Sequence, residues 1–206
     1  MPTSRYLTTP LHYPPIYLIA AVETMKNPLL LQRGAVQWPI VHWSDGKWSQ
    51  VFGSKILRFR IGHKKNTVGR IQWENDCVYE NATFDQFQDW LRATKNCPEN
   101  PMATRDPTSH WAYMGYQYMF ELFDKDDDTI SAIEWDRLGL DKDGWQSTIW
   151  IGSQGAYTPC HFDTYGFNLV LQIKGIKFGK ILGPWEERGA ALERFRLALL
   201  HRPYLV

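Results

Sequence analysis

The chain has 206 residues, of which 44% are hydrophobic and 15% aromatic, so global disorder is excluded and one folded domain, or a domain with an extension, is expected. The formal net charge of +1 gives no indication of nucleic acid or an anionic membrane as a partner. The three cysteines, Cys77, Cys97 and Cys160, form no CxxC pair, which argues against a structural zinc site and a disulfide framework. We therefore expect a protein of the reducing cytoplasm, with the nucleus as the alternative.

The N-terminal end predicts an irregular arm. Residues 1–15 contain four prolines, and the apolar run from Ile16 to Val22 is far too short to cross a bilayer. We therefore expect an arm over residues 1–21 and no membrane partner.

Two strands and a helix are predicted in the first half of the chain. Residues 28–36, PLLLQRGAV, predict a strand with a turn after it. Residues 55–62, KILRFRIG, alternate apolar and basic side chains, as a half-buried strand does. Residues 82–94, ATFDQFQDWLRAT, place their aromatic side chains at helical spacing, and Thr83 or Asn81 is the expected N-terminal cap.

The middle of the chain predicts a loop and then a helix. Residues 97–110 contain three prolines and predict a loop. In WAYMGYQYMFELFD, residues 111–124, the spacing of Met114, Tyr118 and Leu122 predicts a helix.

An acidic segment, DKDDDTISAIEW, follows at residues 124–135 and has acids at positions 1, 3 and 5 of a calcium-binding loop. Thr129 stands where such a loop needs glycine, and Trp135 stands where it needs the bidentate glutamate. We therefore predict a solvated acidic loop.

The last third predicts two strands and a helix. Residues 148–163 and 167–178 are apolar strand-like runs, separated by a turn at Tyr165–Gly166. Residues 184–206 have acids at their start and an apolar stripe at helical spacing, which predicts an amphipathic C-terminal helix.

His161 and Asp163 are the candidate metal ligands. They are two residues apart, so on a strand both side chains point to the same face. One imidazole and one carboxylate supply two corners of the facial triad that holds non-haem iron(II). The alternative is a surface histidine beside a solvated aspartate.

The run GAYTPCHFDTYGFNLVLQIKGIK, residues 155–177, resembles the JmjC domain, a cupin-type family of dioxygenases built on a double-stranded β-helix. The TPCH-x-D motif, the asparagine that follows it and the QIKGIK ending occur there in the same order, and the resemblance extends over residues 22–177. It implies an α+β protein with a partial jelly roll, N-terminal helices and a divergent C-terminal helix. The incomplete domain would cover residues 22–182, and the divergent helical tail would cover residues 183–206.

The resemblance also implies a binding site. His161 and Asp163 would be iron(II) ligands, and Lys177 would meet the distal carboxylate of 2-oxoglutarate, since a dicarboxylate held at one end by iron needs a cation at the other. Thr158 resembles the hydroxyl that shares this carboxylate, and Asn168 resembles the asparagine that lines the pocket.

Tyr116 is the best match to the family's pocket tyrosine, with Tyr113 and Tyr118 as rivals. Lys174 is expected to point away from the site. Without the resemblance, these side chains would read as ordinary members of amphipathic strands or of an aromatic core.

One departure from the family bears on activity. The family has a second histidine ligand on a later strand, but the only histidine after Lys177 is His201, inside the predicted C-terminal helix. We therefore expect a truncated or divergent JmjC-type dioxygenase, impaired in its reaction, with a protein side chain or a nucleic acid as its substrate. The alternative is a non-catalytic interaction module that binds a small heat-shock protein, as some members of the family do, and a hydrolase or isomerase of cupin type is a third reading.

Overall fold

The fold comes from a computed structural model, described here for residues 29–65, 69, 71–92, 98–159, 161, 168–177 and 197–201. The chain forms two compact units, and both are discontinuous in sequence. Unit 1 consists of residues 1–42, 131–144 and 160–206, and unit 2 consists of residues 43–130 and 145–159.

The described strands are β1 (Leu29–Gln32), β2 (Ile56–His63), β3 (Val78–Thr83), β4 (His110–Tyr118), β5 (Thr148–Gly152), β6 (Asn168–Leu171) and β7 (Leu197–His201). The described α-helices are α1 (Asp45–Phe52), α2 (Phe84–Arg92), α3 (Met119–Leu122) and α4 (Asp128–Ser131). Short 3-10 helices occupy Pro39–His42, Glu74–Asp76, Trp135–Leu138 and Gly144–Gln146. None of the helices in these ranges has the length and apolarity that crossing a membrane requires.

Unit 1 contains a three-stranded parallel sheet in the order β1-β7-β6. Its described core includes Trp38, which is buried and meets Trp135 edge-on with 4.9 Å between ring centroids. The neighbouring Ile40 is also buried, and its N–H donates to the carbonyl of Ala132 at 3.3 Å.

The strand β7 corrects the prediction of a C-terminal helix. Residues 197–201 are extended and pair with β1 on one side and β6 on the other, so His201 ends a strand opposite Gln32. A strand in the middle of a parallel sheet reads as a continuous apolar run, and a run this short does not distinguish strand from helix. The rest of the predicted helix lies outside the described residues.

Unit 2 is built on an antiparallel sheet in the order β3-β2-β4-β5. The predicted half-buried strand is confirmed in β2, where Leu57, Phe59 and Ile61 are buried on one face. The predicted helix is confirmed in α2, and its Phe87 stacks on Phe59 with 4.6 Å between ring centroids.

Thr83, rather than Asn81, caps α2. The hydroxyl of Thr83 accepts from the backbone N–H of Gln86 at 3.1 Å, and the Gln86 side chain accepts from the N–H of Thr83 at 2.8 Å. This reciprocal pair is a capping box, which satisfies two backbone donors where the helix begins.

The helix predicted at residues 111–124 is wrong over most of its length, because β4 continues to Tyr118 and only Met119–Leu122 is helical. Met114 and Tyr118 are four residues apart, and four is an even number. Such a spacing therefore also suits one face of a strand, where every second side chain points the same way.

The predicted loop between α2 and β4 is confirmed over residues 98–109. The prediction of a solvated acidic loop is confirmed only for residues 124–127, whose side chains are exposed. The rest of that segment begins with α4, and Thr129, Ile130, Ala132 and Ile133 are buried. The mixed α and β composition is thus confirmed, and the double-stranded β-helix stays a prediction.

The contact between Phe59 and Phe87 should dominate the stability of unit 2. We expect Phe59→Ala to lower the free energy of unfolding by about 3–5 kcal/mol, because it removes a fully buried ring and leaves a cavity. Ile56→Ala in the same strand, where the side chain is 71% exposed, should change it by less than about 0.5 kcal/mol. Chemical denaturation measures both, and equal losses would contradict this assignment of the core.

Candidate functional site

Arg60 occupies a buried position on the second face of β2. Its side chain is only 7% exposed, whereas Arg58, two residues earlier on the same face, is exposed. One terminal nitrogen of the guanidinium pairs with the carboxylate of Glu74. The other donates to the carbonyl of Tyr157 at 2.9 Å and lies 3.5 Å from the hydroxyl of Thr158.

Two aromatic rings also face this guanidinium. Its central carbon lies 5.6 Å from the ring centroid of Trp111 and 5.8 Å from that of Tyr113, within the range of cation–π attraction. The hydroxyls of Tyr113 and Thr158 are hydrogen-bonded. Burial raises the pKa of Tyr113, and the bond to Thr158 and the charge of Arg60 act in the opposite direction.

The arrangement fixes the residues that lead to His161. Since Arg60 and Tyr113 belong to neighbouring strands of one sheet, their bonds to Tyr157 and Thr158 tie this segment to a rigid support. The Nε atom of Arg60 is buried and has no hydrogen-bond partner among the described residues. A guanidinium and two hydroxyls therefore lie together, and such groups can receive a carboxylate.

The other residues of the predicted site are divided between the two units. Thr158 and Tyr116 belong to unit 2 and are exposed. In unit 1, His161 and Lys177 are exposed and Asn168 is half-buried as the first residue of β6. Asp163 lies outside the described residues, so its pairing with His161 stays a prediction.

Within the described residues, no three His, Cys, Asp or Glu side chains lie close enough together to hold a metal ion. His161 is the one implied iron ligand in these ranges, because the other, Asp163, lies outside them.

Sequence reasoning missed Arg60 and Glu74. The alternation in KILRFRIG placed Arg58 and Arg60 on one face, but it gave no sign that this face is covered at Arg60 and open at Arg58. Glu74 approaches from a short 3-10 helix that has no sequence signature of its own. Sequence reasoning preferred Tyr116 and kept Tyr113 as a rival, and in the structure it is Tyr113 that bonds to Thr158.

Tyr116 lies in a β-bulge. β4 carries one extra residue relative to β5, because Gly115 and Tyr116 together lie opposite Trp150. Tyr116 has a φ of 61°, a conformation that a non-glycine residue adopts at a cost of about 1–3 kcal/mol. A Cβ atom at Gly115 would lie 2.6 Å from the Trp150 ring, so glycine lets the indole lie against the strand.

The bulge belongs to a continuous set of aromatic side chains that we call the aromatic row. Successive ring centroids are between 4.8 and 6.1 Å apart. In spatial order its members are Tyr113, Trp150, Tyr116, Tyr118, Phe120 and Trp145. Tyr116, Phe120 and Trp150 are exposed large hydrophobic side chains. Contiguous exposed apolar side chains typically mark a binding surface.

The aromatic row lies beside the last strand of its sheet, β5, whose sequence TIWIG contains no charge and no proline. The N–H of Ser153 donates to Ala112 and the carbonyl of Ser147 accepts from Met119, both at 2.9 Å. The backbone groups of Ser147 and Ser153 therefore face β4. The direction of the N–H and C=O groups alternates along a strand, so those of Trp150, three residues from each, point away from β4. Among the described strands, none pairs with this edge.

The chain is similar to HSPB1-associated protein 1. It is 36% identical to the Homo sapiens protein over 169 residues, which are 79% of this chain and 33% of that protein. It is 34% identical to the Rattus norvegicus protein over 169 residues, and 32% identical to the Danio rerio homologue over 164 residues, or 36% of that protein. No family model and no solved structure matches the chain.

The chain spans about a third of the length of these HSPB1-associated proteins. Their name states an association with HSPB1, a small heat-shock protein.

The charges around Arg60 should control the reactivity of Cys77. Burial raises the pKa of this thiol, Arg60 lowers it, and Asp76 and Glu74 raise it. We expect Arg60→Met to raise the pKa further and to slow alkylation at pH 8, since less thiolate is present. Glu74→Gln should lower the pKa and accelerate alkylation.

The measurement is the rate of iodoacetamide labelling against pH, with Cys97 and Cys160 replaced by serine. Opposite shifts of the two pH profiles support the assigned charges. Acceleration by both variants would instead indicate that the cluster opens, and it would contradict the tie between Arg60 and its neighbours.

Proposed function

We propose that this chain is an interaction module that binds a small heat-shock protein of the HSPB1 type. The observation that carries the proposal is the similarity to proteins named for that association, which extends over 79% of the chain. It is a proposal for this chain because the similar stretch is only a third of each relative.

The aromatic row is the surface that we assign to the partner. An apolar segment of the heat-shock protein would lie against the exposed rings of Trp150, Tyr116 and Phe120. A few aromatic side chains near the centre of an interface typically supply most of its binding energy.

The chemistry of this surface supports that use. Exposed aromatic residues offer a large apolar area with few rotatable bonds, and tryptophan and tyrosine are enriched among the residues that dominate binding energy. The strained conformation of Tyr116 places one more ring in the aromatic row.

Trp150→Ala should weaken binding of purified HSPB1 at least tenfold, the loss expected when a central aromatic anchor is removed. The matched control is Tyr79→Ala on β3, at the opposite edge of the sheet, since the two side chains are 42% and 41% exposed. Biolayer interferometry on immobilised chain measures both affinities. Equal affinities for all three proteins would remove the aromatic row from the interface, and no binding by the unmodified chain would refute the proposed function.

The second candidate is the JmjC-type dioxygenase domain, cytoplasmic and impaired, that the resemblance implies. The observation that favours it is the cluster of Arg60, Tyr113 and Thr158, because two hydroxyls and a guanidinium suit a carboxylate. His161 and Asp163 would hold iron(II), which with 2-oxoglutarate supplies the oxidising chemistry. The chain's own part would be to orient the cosubstrate through Thr158 and to hold its far end.

The remaining residues of this candidate site would line the cosubstrate. Lys177 would meet the distal carboxylate, and Asn168 and either Tyr116 or Tyr113 would lie along the pocket. The substrate would be a protein side chain.

Anaerobic titration with iron(II) and 2-oxoglutarate tests the second candidate. A working site should give a weak visible charge-transfer band and succinate in air, and His161→Ala should abolish the band. Lys177→Ala should weaken 2-oxoglutarate binding at least about tenfold, because a charge-assisted hydrogen bond is lost. Lys174→Ala is the matched control and should have no effect. Absence of both band and succinate from the folded chain would leave the interaction module alone.

A further inference from the structure

The aromatic row ends beside an exposed acidic turn. The indole N–H of Trp145, the last member of the row, donates to the carbonyl of Phe123 at 3.2 Å. Asp124 follows Phe123 directly, and the N–H of Asp127 donates to the Asp124 carbonyl at 3.1 Å, which closes residues 124–127 into the acidic turn. The aromatic row and the acidic turn both belong to unit 2, so an apolar surface and a group of carboxylates adjoin within one compact unit.

This part of the chain holds a local excess of negative charge. Residues 121–128 contain five acidic residues and one lysine, a formal charge of −4, whereas the whole chain has a formal charge of +1. The side chains of residues 124–127 are exposed. Exposed charges of one sign attract a partner of the opposite sign over roughly the Debye length, about 10 Å at 0.1 M salt. The acidic turn therefore favours a basic partner.

Two carboxylates of the acidic turn are available to a partner. Asp127 is already used within the chain, because its carboxylate accepts from the N–H of Thr129 at 2.7 Å where α4 begins. The hydrogen bonds from Thr129 lower the pKa of Asp127, and the charges of two lysines lower it further. Asp124 and Asp126 are exposed, and neither forms an ion pair with a cationic side chain in the part of the chain that the structure describes.

The junction of the aromatic row and the acidic turn already receives one cation. The ammonium of Lys125 lies 5.8 Å from the ring centroid of Trp145, within the range of cation–π attraction. A lysine or arginine of a partner would meet the same two features there, the face of an aromatic ring and exposed carboxylates. The position of Lys125 therefore indicates which kind of side chain this end of the aromatic row accommodates.

We propose that the segment of the heat-shock protein that binds the aromatic row combines apolar side chains with lysine or arginine. This inference rests on the proposed function and specifies the chemistry of the partner. The apolar side chains contact Trp150, Tyr116 and Phe120, and the basic side chains face Asp124 and Asp126. Aromatic contacts at the centre of an interface mainly determine how slowly a complex dissociates, whereas charges at its rim mainly raise the rate of association.

Biolayer interferometry with purified HSPB1 on the immobilised chain separates these two contributions. We expect Asp124→Asn/Asp126→Asn to lower the association rate at about 0.1 M salt at least threefold and to leave the dissociation rate unchanged, because exposed charges act before contact. At about 1 M salt, where the Debye length is about 3 Å, parent and variant should associate equally fast. The matched control is Glu80→Gln/Glu99→Gln, which removes two negative charges from β3 and from the loop before β4, and it should associate like the parent.

Lys125→Gln tests the same charges in the opposite direction. It removes the cation at the junction and should accelerate association about twofold, a result that a variant with damaged folding would not give. Circular dichroism should be the same for the parent and all variants. Association of Asp124→Asn/Asp126→Asn at the rate of the parent would overturn this inference and leave the proposed function in place. Failure of the unmodified chain to bind HSPB1 would overturn both.

Discussion

The burial of one positive charge organises the candidate site. Arg60 is 6% exposed, and an ion taken out of water is tolerated only where other groups replace its hydration. Glu74 supplies a countercharge, Tyr157 supplies a carbonyl, and two rings supply their negative faces. These groups come from separate stretches of the chain. If the segment before His161 moved away from β2, the buried guanidinium would lose one of the groups that replace its hydration.

One extra residue in β4 determines how β4 and β5 pack around Tyr116. The bulge at Gly115–Tyr116 opposes two residues of β4 to Trp150 and turns the side chain of Tyr116 toward the indole. Only glycine leaves space for that indole, because any Cβ at position 115 would collide with it. The pairing of β4 with β5 on both sides of the bulge holds Tyr116 in its strained backbone conformation, and strain of this kind concentrates at functional positions. The bulge, the ring of Trp150 and the last strand β5 are therefore parts of one structural feature.

How much the sequence predicts depends on whether a pattern has one interpretation. The strand β2 and the helix α2 were predicted because KILRFRIG has a period of two and the aromatic residues of α2 recur at helical spacing. The strand β4 was missed because a spacing of four fits both periods and a bulge interrupts its alternation. The strand β7 was missed because its partners are more than twenty residues away, and pairing is not encoded locally.

The residues of the candidate site were likewise predictable only where the sequence pattern is local. Thr158 was found because it stands in a motif that is continuous in sequence. Arg60 was not, since its burial depends on Glu74 and Tyr157, which are 14 and 97 residues away. Tyr113 stayed a rival of Tyr116 because sequence shows neither the register of β4 nor the direction of a side chain at a bulge.

The pairing of Arg60 also bears on the choice between the two candidate functions. A carboxylate that approaches Thr158 meets a guanidinium whose charge Glu74 already neutralises. The Glu74 side chain is 65% exposed and would regain water on leaving, whereas Arg60 is buried and would lose its countercharge unless another anion replaced it. An incoming anion and Glu74 therefore compete for one buried cation. With Glu74 in place the cluster is neutral and acts as a fixed support for the sheet, which is what a binding module requires of it.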